Sequence, residues 1–307
     1  MPVFGLIGTI TSDHIVRDEG GTFEGLGGVL YQAAVLCGLG ERVRLFSNCG
    51  EDLRPLVEGT VRDWTGLDRT GLRFVPGPGN QVRLRYSERL KEREEVLRSV
   101  VPGLDPYSIL PRLAGLDALL VVFNSGYDLD LAGWRSIVAR AECPIWLDTH
   151  SLVLDKKIGS HRDYVALIDP EKWISGVTYL QANRQELACL IGRPERWPDR
   201  AETAAFAENA FRLGVRGVFV TMGKDGVFVL TPEEIRTVRA PRAGVVVDTT
   251  GCGDVFCARA LQLIDQGASV FEAAEAGVAL ASKAVGRAGV RATYEMVRDS
   301  IAPLPAP

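Results

Sequence analysis

The stretch Asp248–Asp254 reads Asp-Thr-Thr-Gly-Cys-Gly-Asp and combines residue types that can bind a phosphate and accept a proton. It follows the apolar run Val245–Val247, which predicts a strand, and it opens a segment with helical spacing. Its two glycines let the backbone approach a ligand closely, and the N–H groups of residues 252–254 would lie at the positive end of the helix dipole. Such a site attracts an anion, above all a phosphate. A carboxylate in the first turn, Asp254, can then take the proton of a hydroxyl that attacks phosphorus.

The local chemistry of this stretch leaves other interpretations open. A glycine turn followed by a capped helix explains it equally well, with Asp254 complementing the helix dipole and Asp248 forming the turn. Cys252 would lie at the helix N-terminus, which predicts a lowered thiol pKa. No histidine is near Cys252 in sequence, so a nucleophilic thiol is the less favoured interpretation.

The elements that would position this stretch are near-continuous apolar runs of strand length, typical of strands buried on both faces. Segments with helical spacing alternate with them, which predicts a parallel sheet with helices on both sides. The predicted strands are Val3–Ile10, Val43–Ser47, Ala118–Asn124, Pro144–Asp148, Thr178–Ala182 and Val218–Thr221, with helices at Leu30–Leu39, Leu131–Ala141 and Thr203–Leu213. The predicted elements that follow are strands at Gly226–Leu230, Arg236–Val238 and Gly244–Val247, then helices at Gly253–Gln266 and Val270–Gly286, then a disordered tail, Pro303–Pro307.

Two stretches break this alternation and predict a small second sheet, a candidate lid over the main body. Ile15–Glu24 has the pattern of a hairpin. Arg73–Val75 and Gln81–Ser87 are predicted strands on either side of a Pro-Gly turn. A pair of ordinary surface hairpins is the alternative. The run Arg89–Arg98 alternates in charge and predicts either a solvated helix or the edge of the lid.

The strand Gln81–Ser87 has one apolar and one polar face, because successive side chains point to opposite sides. The first face comprises Val82, Leu84 and Tyr86, and the second comprises Gln81, Arg83 and Arg85. Two inward guanidinium groups would suit a phosphate or carboxylate on a ligand. Arginine tolerates solvent far better than leucine does, so we expect the apolar face inward and a neutral ligand.

A set of short motifs runs through nearly the whole chain. These are Gly27-Gly28 before an alanine-rich helix ending Gly38-Leu39-Gly40, then Ser47–Asp52, Asn183–Glu186, Thr221–Gly226, Asp248–Asp254 and Ala281–Gly289. In this order they resemble the ribokinase-like (PfkB) family of carbohydrate kinases, although Cys252 stands where alanine is usual. The resemblance implies one α/β domain over residues 1–307, with a mostly parallel central sheet sandwiched by helices. It also implies a small β-sheet lid from segments at about 15–26 and 72–100.

The resemblance further implies a small-molecule kinase that phosphorylates a hydroxyl of a sugar with ATP. Asp254 would be the catalytic base. The anion hole for the transferring phosphoryl group would be formed by the N–H groups of Gly251, Cys252 and Gly253.

The donor, ATP with Mg²⁺, would be held by three further motifs. Asn183 and Glu186 would hold Mg²⁺ through water, since this ion dehydrates reluctantly. The positions matching the family's phosphate and adenine contacts are Thr221, Gly223 and Gly226, and Ala281, Ser282 and Val285. An ordinary solvated helix glutamate, and plain core packing of the small residues, are the alternatives that the residues themselves leave open.

Many family members also bind a potassium-like ion near the anion hole. The matching positions are Asp248, Thr250, Ala284, Arg287, Gly289 and Thr293. On the acceptor side, Asp13 would hydrogen-bond sugar hydroxyls, for which a carboxylate is a good acceptor. Gly27 and Gly28 would let the acceptor lie against the backbone. A simple turn aspartate is the alternative for Asp13.

Two departures from the family pattern leave the acceptor open between a sugar and a nucleoside. Val29-Leu30-Tyr31 stands where sugar kinases of the family place lysine or asparagine, which predicts a less polar pocket. Asp148-Thr-His150 lacks the asparagine and arginine of some sugar-acid kinases. A catalytically silent binding protein on the same fold is a further alternative, which the presence of Asp254, Asn183 and Glu186 disfavours.

Composition excludes several other classes. The 307 residues carry a net charge of −4 and no basic run, so nucleic acid and anionic membranes are not expected partners. No apolar run approaches the roughly 20 residues needed to span a bilayer, and residues 1–10 have the pattern of a strand rather than a signal peptide. The six cysteines lack a C-x-x-C pair, which predicts neither a zinc site nor a disulfide framework and favours the reduced cytoplasm. A homodimer through the lid is an expectation by analogy alone.

Overall fold

A computed structural model describes residues 1–17, 21–86, 94–242 and 244–301. Four predicted features lie wholly or partly outside these residues: the hairpin tip, the strand end at Ser87, the start of the run Arg89–Arg98, and the tail Pro303–Pro307. No helix within the described ranges is long and apolar enough to cross a membrane.

The elements follow one another in the order that a layered α/β protein requires. The strands are β1 (Val3–Ile7), β2 (Ile10–Arg17), β3 (Thr22–Gly28), β4 (Arg42–Gly50), β5 (Leu67–Val75), β6 (Asn80–Tyr86), β7 (Glu94–Ser99), β8 (Ala118–Val122), β9 (Ile145–Asp148), β10 (Tyr179–Asn183), β11 (Gly217–Thr221), β12 (Val227–Leu230) and β13 (Ile235–Val238). The helices are α1 (Leu30–Gly38), α2 (Arg54–Thr60), α3 (Pro106–Ile109), α4 (Leu131–Arg140), α5 (Pro170–Ile174), α6 (Arg184–Leu190), α7 (Arg200–Arg212), α8 (Cys252–Asp265), α9 (Val270–Ala284) and α10 (Gly289–Ile301).

Nine strands form the main sheet in the order β13-β12-β11-β10-β9-β8-β1-β4-β5. The seven strands from β11 to β5 are mutually parallel, and β12 is antiparallel to both of its neighbours. Parallel strands need crossover connections, and helices then cover both faces of the sheet. The predicted fold class, a mostly parallel sheet between helices, is therefore confirmed.

The core consists of two apolar layers, one on each face of the main sheet. Helices α1, α8, α9 and α10 contribute to the first layer, and α4, α6 and α7 contribute to the second. In the first layer, Trp146 from β9 stacks on Phe219 from β11 with ring centroids 4.4 Å apart. In the second, Phe123 meets Trp134 edge to face. These layers fix the carboxyl ends of the parallel strands, where the polar side chains described below are concentrated.

The small second sheet has the order β3-β2-β6-β7. Its inward face carries an apolar cluster of Ile15, Val82, Leu84 and Leu97. Within the run Arg89–Arg98, residues 94–98 belong to the edge strand β7. For residues 94–98 the lid-edge prediction is therefore right and the helix prediction is wrong.

Three predicted elements differ from the structure. Val3–Ile10 is not one strand, because the chain leaves the main sheet after Ile7 and enters the lid at Ile10. Arg73–Val75 belongs to β5 beside β4 in the main sheet, so the expected lid segment starts too early. Gly244–Val247 forms no strand, and the three valines in it are exposed. The segment is instead hydrogen-bonded to the residue that follows α9, since the Val247 N–H donates to the Val285 carbonyl at 2.7 Å.

Candidate active site

The first turn of α8 presents backbone donors, as the sequence predicts. Gly251 precedes the helix with φ = 78°, a conformation that favours glycine, and a Cβ there would lie 2.5 Å from the ring of Tyr31. The first intrahelical bond runs from the Val255 N–H to the Gly251 carbonyl at 2.9 Å. The N–H groups of Gly253 and Asp254 therefore precede the helical ladder, while that of Cys252 donates to Thr249 at 3.3 Å.

Asp254 is buried and held from another helix. The side-chain amide of Gln32, on α1, donates to its Oδ1 at 3.1 Å. Gln32 is fully buried, so this contact fixes the carboxylate where the helix begins. Sequence reasoning missed Gln32, although it follows the Gly27-Gly28 motif closely.

A second polar chain supports the same turn from the main sheet. The Nε2 of Gln181, on β10, donates to Asp148 at 2.8 Å and to the Gly253 carbonyl at 3.2 Å. Asp148 ends β9, so two neighbouring strands orient the start of α8. Sequence reasoning did not assign Gln181 to the site, because an interior strand position gives no sign of its partner.

On the acceptor side, Asp13 lies buried on β2. A Cβ at Gly27 would lie 2.0 Å from the Asp13 carboxylate, so the absence of a side chain at Gly27 leaves room for that group. Gly28 has φ = 65° and lies against the Thr9 carbonyl. Both glycines were expected to let the acceptor lie against the backbone. At Gly27 the missing side chain makes room for the Asp13 carboxylate instead.

One pocket, open to solvent on one side, connects these groups. It is lined by Thr11, Asp13, Gly28, Tyr31, Val82, Leu84, Glu95, Asn124, His150, Thr250, Gly251 and Asp254. Asp13 and Asp254 therefore share a pocket with the start of α8. Val29 and Leu30 are buried in the core, and of the three residues expected to make the pocket less polar Tyr31 lines it. Burial is the main cause of the raised pKa of Tyr31, and the nearby carboxylates Asp13, Asp248 and Asp254 raise it further.

The lid contributes its apolar face to this pocket. Val82 and Leu84 are buried and line it, whereas Arg83 and Arg85 are exposed on the opposite face of β6. The predicted orientation of the strand is confirmed. Glu95, on the adjacent strand β7, also lines the pocket and was not predicted.

The lid reaches the loop that precedes α8 through two hydrogen bonds. Arg17 Nη2 donates to Asp248 Oδ1 at 2.9 Å, and the Tyr86 and Thr250 hydroxyls lie 3.2 Å apart. Arg17 and Tyr86 are directly paired between β2 and β6. One end of the lid is therefore attached to this loop.

The predicted magnesium residues form a helix cap. Asn183 caps α6 by accepting from the N–H of Glu186 at 2.8 Å. The carboxylate of Glu186 accepts from the Asn183 backbone at 2.7 Å and from its side-chain amide at 2.6 Å. Within the described ranges, no group of three or more His, Cys, Asp and Glu side chains is arranged to hold a metal. A water-mediated contact with Mg²⁺ fits this cap better than direct ligation, which would compete with both bonds.

The predicted donor residues lie on two elements. Thr221 ends β11, and Gly223–Asp225 follows it as a 3₁₀ turn. Gly226 has φ = 96° and lies against the Val238 carbonyl, where a Cβ would be 2.0 Å away.

Ala281 and Ser282 on α9, and Val285 directly after it, are half-buried. The Val285 carbonyl accepts from the Val247 and Asp248 N–H groups, and the Ala281 carbonyl accepts from the Cys252 thiol at 3.8 Å. The end of α9 is thus joined to the loop before α8.

The positions expected for a monovalent cation form two hydrogen-bonded groups. Asp248 Oδ1 accepts from the Thr250 N–H at 3.0 Å and from Arg17, while its Oδ2 is buried and has no hydrogen-bond partner in the described structure. The Thr293 hydroxyl donates to the Gly289 carbonyl at 3.1 Å. Arg17 already supplies a positive charge to Asp248, which sequence reasoning did not foresee.

The expectation of a lowered thiol pKa at Cys252 is wrong. Burial, followed by the charges of Asp248 and Asp254, raises the Cys252 pKa to about 12. The desolvation of a thiolate outweighs the helix dipole here, so the thiol stays protonated at neutral pH.

Comparisons with known proteins relate part of the sequence to a family and the whole chain to a fold. The sequence model of the pfkB family carbohydrate kinases matches residues 150–296. A 1-phosphofructokinase of Haloferax volcanii is 33% identical over 130 residues, which are 42% of this chain and 40% of that protein. The match to a sugar kinase of Archaeoglobus fulgidus covers 46% of that protein. The chain thus spans less than half the length of these curated relatives.

Solved structures resemble the chain over nearly its whole length. A pyrophosphate-dependent kinase in the ribokinase family superposes with a TM-score of 0.78 at 16% identity, covering 95% of this chain and 99% of that one. Ribokinase from Thermotoga maritima gives 0.73 at 19% identity, with coverage of 97% and 99%. Because these sequence identities are low, the structural similarity shows that the folds are alike and nothing more. The conclusion is that the chain has the ribokinase-like fold and that its second half, residues 150–296, matches the pfkB family of carbohydrate kinases.

Proposed function

We propose that this protein transfers a phosphoryl group to a hydroxyl of a neutral small molecule, in the simplest case a sugar. The observation that carries the proposal is the position of Asp254. It is a buried carboxylate in the first turn of α8, and it lines the same pocket as Asp13. A base beside helical N–H donors is the arrangement that in-line phosphoryl transfer requires.

In this reaction Asp254 takes the proton of the attacking acceptor hydroxyl. Gln32 keeps the carboxylate in place by donating to its Oδ1. The N–H groups of Gly253 and Asp254 face the charge that develops on the phosphoryl oxygens, and preorganised donors of this kind contribute about 3–4 kcal/mol each. On the acceptor, Asp13 accepts hydrogen bonds from hydroxyls that do not react.

The proposed donor is MgATP, bound beside Thr221, Gly223 and the end of α9. Mg²⁺, when bound, would neutralise charge on the phosphoryl oxygens. Glu186 would contact it through water, since its carboxylate also holds the cap of α6. Pyrophosphate is the alternative donor, because a kinase that uses it has a similar fold. A potassium-like ion beside Asp248 would have to share that carboxylate with Arg17.

A neutral acceptor is supported by the pocket walls. The lid turns Val82 and Leu84 toward the ligand and keeps Arg83 and Arg85 in solvent. An acceptor phosphate would therefore meet apolar side chains and the carboxylates Asp13 and Asp254, which disfavour a second anion.

The test is a screen of the purified protein against sugars, cyclitols, nucleosides and sugar phosphates. Each is incubated with ATP or pyrophosphate, with and without Mg²⁺, and the phosphorylated product is detected by mass spectrometry. We expect Mg²⁺-dependent phosphorylation of a neutral acceptor with ATP. If product forms only with pyrophosphate, the phosphoryl donor is pyrophosphate and not ATP. If no product forms with either donor, the proposed reaction is refuted.

A further inference from the structure

Glu95 is a carboxylate on an otherwise apolar surface. On β7 it is paired with Leu84 of β6, and Leu97 on the same strand is paired with Val82. Glu95, Leu97, Val82 and Leu84 are all buried. Burying an ionised carboxylate among such residues costs free energy unless it is paired and hydrogen-bonded.

The partner of Glu95 comes from the body of the protein. Arg162 Nη1 donates to Glu95 Oε1 at 3.1 Å, and both side chains are almost completely buried. The Arg162 N–H also donates to the Glu95 carbonyl at 3.0 Å, and its Nε donates to the Asp155 carbonyl at 2.8 Å. The carboxylate is therefore held in one position when the lid lies on the body.

A buried ion pair is weak evidence for stability, since well-packed apolar residues serve as well or better. Its place at a ligand pocket suggests a different reason for it. The acidic residues lining this pocket are Asp13, Glu95 and Asp254, and no lysine or arginine is among its lining residues in the described structure. Arg162 balances one of these three charges, so the pocket as a whole favours hydroxyl donors over anions.

The registers fix where the two lid carboxylates lie. Asp13 is paired with Val82, and Glu95 is paired with Leu84 two residues further along β6. From strand spacing and rise, their Cα atoms are about 12 Å apart on a diagonal across the lid face. Val82 and Leu84 lie between them as an apolar patch. The distance that remains between the carboxylates of Asp13 and Glu95 is one that a sugar or cyclitol ring with its hydroxyls can bridge.

An independent sign of a polar ligand comes from the opposite wall. Asn124, after β8, lines the same pocket and is buried. Its Oδ1 has no hydrogen-bond partner in the described part of the chain. A buried amide oxygen without a partner is costly, and a ligand hydroxyl would satisfy it.

We propose that Glu95, positioned by Arg162, is a binding residue for the acceptor. The acceptor is a neutral cyclic polyol whose hydroxyls, at opposite edges of the ring, donate hydrogen bonds to Asp13 and Glu95. This inference rests on the proposed function, and it narrows the acceptor class. The ring would lie with its C–H face on Val82 and Leu84, and the hydroxyl facing Asp254 would react.

The test compares Glu95→Gln with Glu94→Gln, a change at the neighbouring residue on the outer face of the same strand. The probes are ribose, fructose, glucose, myo-inositol, adenosine and the corresponding sugar phosphates. For the best acceptor we expect Glu95→Gln to raise KM tenfold or more with kcat within a few-fold, because the lost contact stabilises bound substrate and transition state alike. Glu94→Gln should leave both values unchanged.

Because Glu95→Gln leaves the buried Arg162 without a carboxylate partner, the double variant Glu95→Leu with Arg162→Met serves as a second test. Removing both charges should preserve folding, as judged by Tm, and still raise KM. An unchanged KM in either folded variant, or a wild-type preference for a sugar phosphate, would overturn the inference.

Thermal stabilisation by the same probes separates the two proposals. If a cyclic polyol raises Tm of the wild type but not of Glu95→Gln, and no product forms, the proposed reaction fails while the binding inference stands. If no probe raises Tm and none is phosphorylated, both are refuted.

Discussion

Gln32 shows how one residue outside the motif Asp248–Asp254 sets the geometry of the proposed base. Its amide holds Asp254 across two helices, and the same amide nitrogen lies 3.6 Å from the Cys257 sulfur. An asparagine at position 254 could accept the same hydrogen bond but could not take a proton. The charge of Asp254 can therefore be separated from its structural role.

We expect Asp254→Asn to lower kcat by at least about 10²-fold, the usual contribution of a general base. Tm should change little, because the bond from Gln32 is retained. Asp265→Asn, at the exposed end of the same helix, is the matched control and should keep wild-type kcat. A variant at Asp254 that retains most of its kcat would mean that another group accepts the proton.

The thiol of Cys252 provides a residue-scale test of the electrostatics at the start of α8. Its pKa is raised from 9.0 to about 12, so the thiolate fraction at pH 8 should be about 10³-fold lower than that of a free thiol. We expect alkylation of native Cys252 by iodoacetamide to be slow at pH 8 and to keep rising beyond pH 10. Peptide mass spectrometry gives the rate, with urea-unfolded protein as the control. A rate that levels off near pH 9 would contradict the raised pKa.

At the scale of elements, the main sheet could be predicted because its strands are buried on both faces. The apolar runs at β8, β9 and β11 predict strands at nearly their observed positions, and the helices between them follow. Val245–Val247 has the same composition but forms no strand, because no neighbouring strand pairs with it. The apolar pattern shows that a segment can be a strand, and only its partners decide whether it is one.

The candidate site was predictable where short motifs carry it and not where long-range contacts do. Asp254, Asp13 and Gly28 line the pocket as expected. Glu95 was missed because its charge pattern predicted solvent exposure. The Arg162 that allows it to be buried is 67 positions away in sequence.

The attachment of the lid to the loop before α8 is also an element-scale feature. Arg17 is part-buried and Asp248 almost fully buried, so removing Arg17 leaves a buried carboxylate without its cation. We expect Arg17→Met to raise the acceptor KM about three- to tenfold, in keeping with a loss of roughly 1 kcal/mol. Added KCl should restore part of the activity of this variant by supplying a cation to Asp248.

The matched control is Arg85→Met, which removes an exposed arginine that pairs with Glu94 on the outer face of the lid. Its KM should stay at the wild-type value. If Arg17→Met behaves like this control, the contact with Asp248 does not hold the lid during turnover.

At the scale of the whole molecule, the lid is joined to its own chain at both edges. On one side β3 packs against α10, where a Cβ at Gly289 would lie 2.7 Å from the ring of Phe23. On the other side the backbone of β7 bonds to the segment 159–162, with the Gly159 N–H 2.8 Å from the Leu97 carbonyl. Unpaired strand edges are what invite a second copy to pair. Within the described residues, both edges of the small sheet are in contact with the body.

The outer face of the lid is equally unsuited to a stable dimer. Arg83, Arg85 and Arg98 are exposed there, and His14 pairs with Glu24 at 2.7 Å on the same surface. The cores of stable homodimer interfaces are depleted in charged residues, so this face lacks the composition of one. We therefore expect a monomer with the mass of one chain, 33.3 kDa, rather than the lid-mediated homodimer that the family analogy suggests. Size-exclusion chromatography with light scattering measures this, with and without the best acceptor. A species of twice that mass that dissociates in Arg83→Glu would show instead that the outer face of the lid joins two copies.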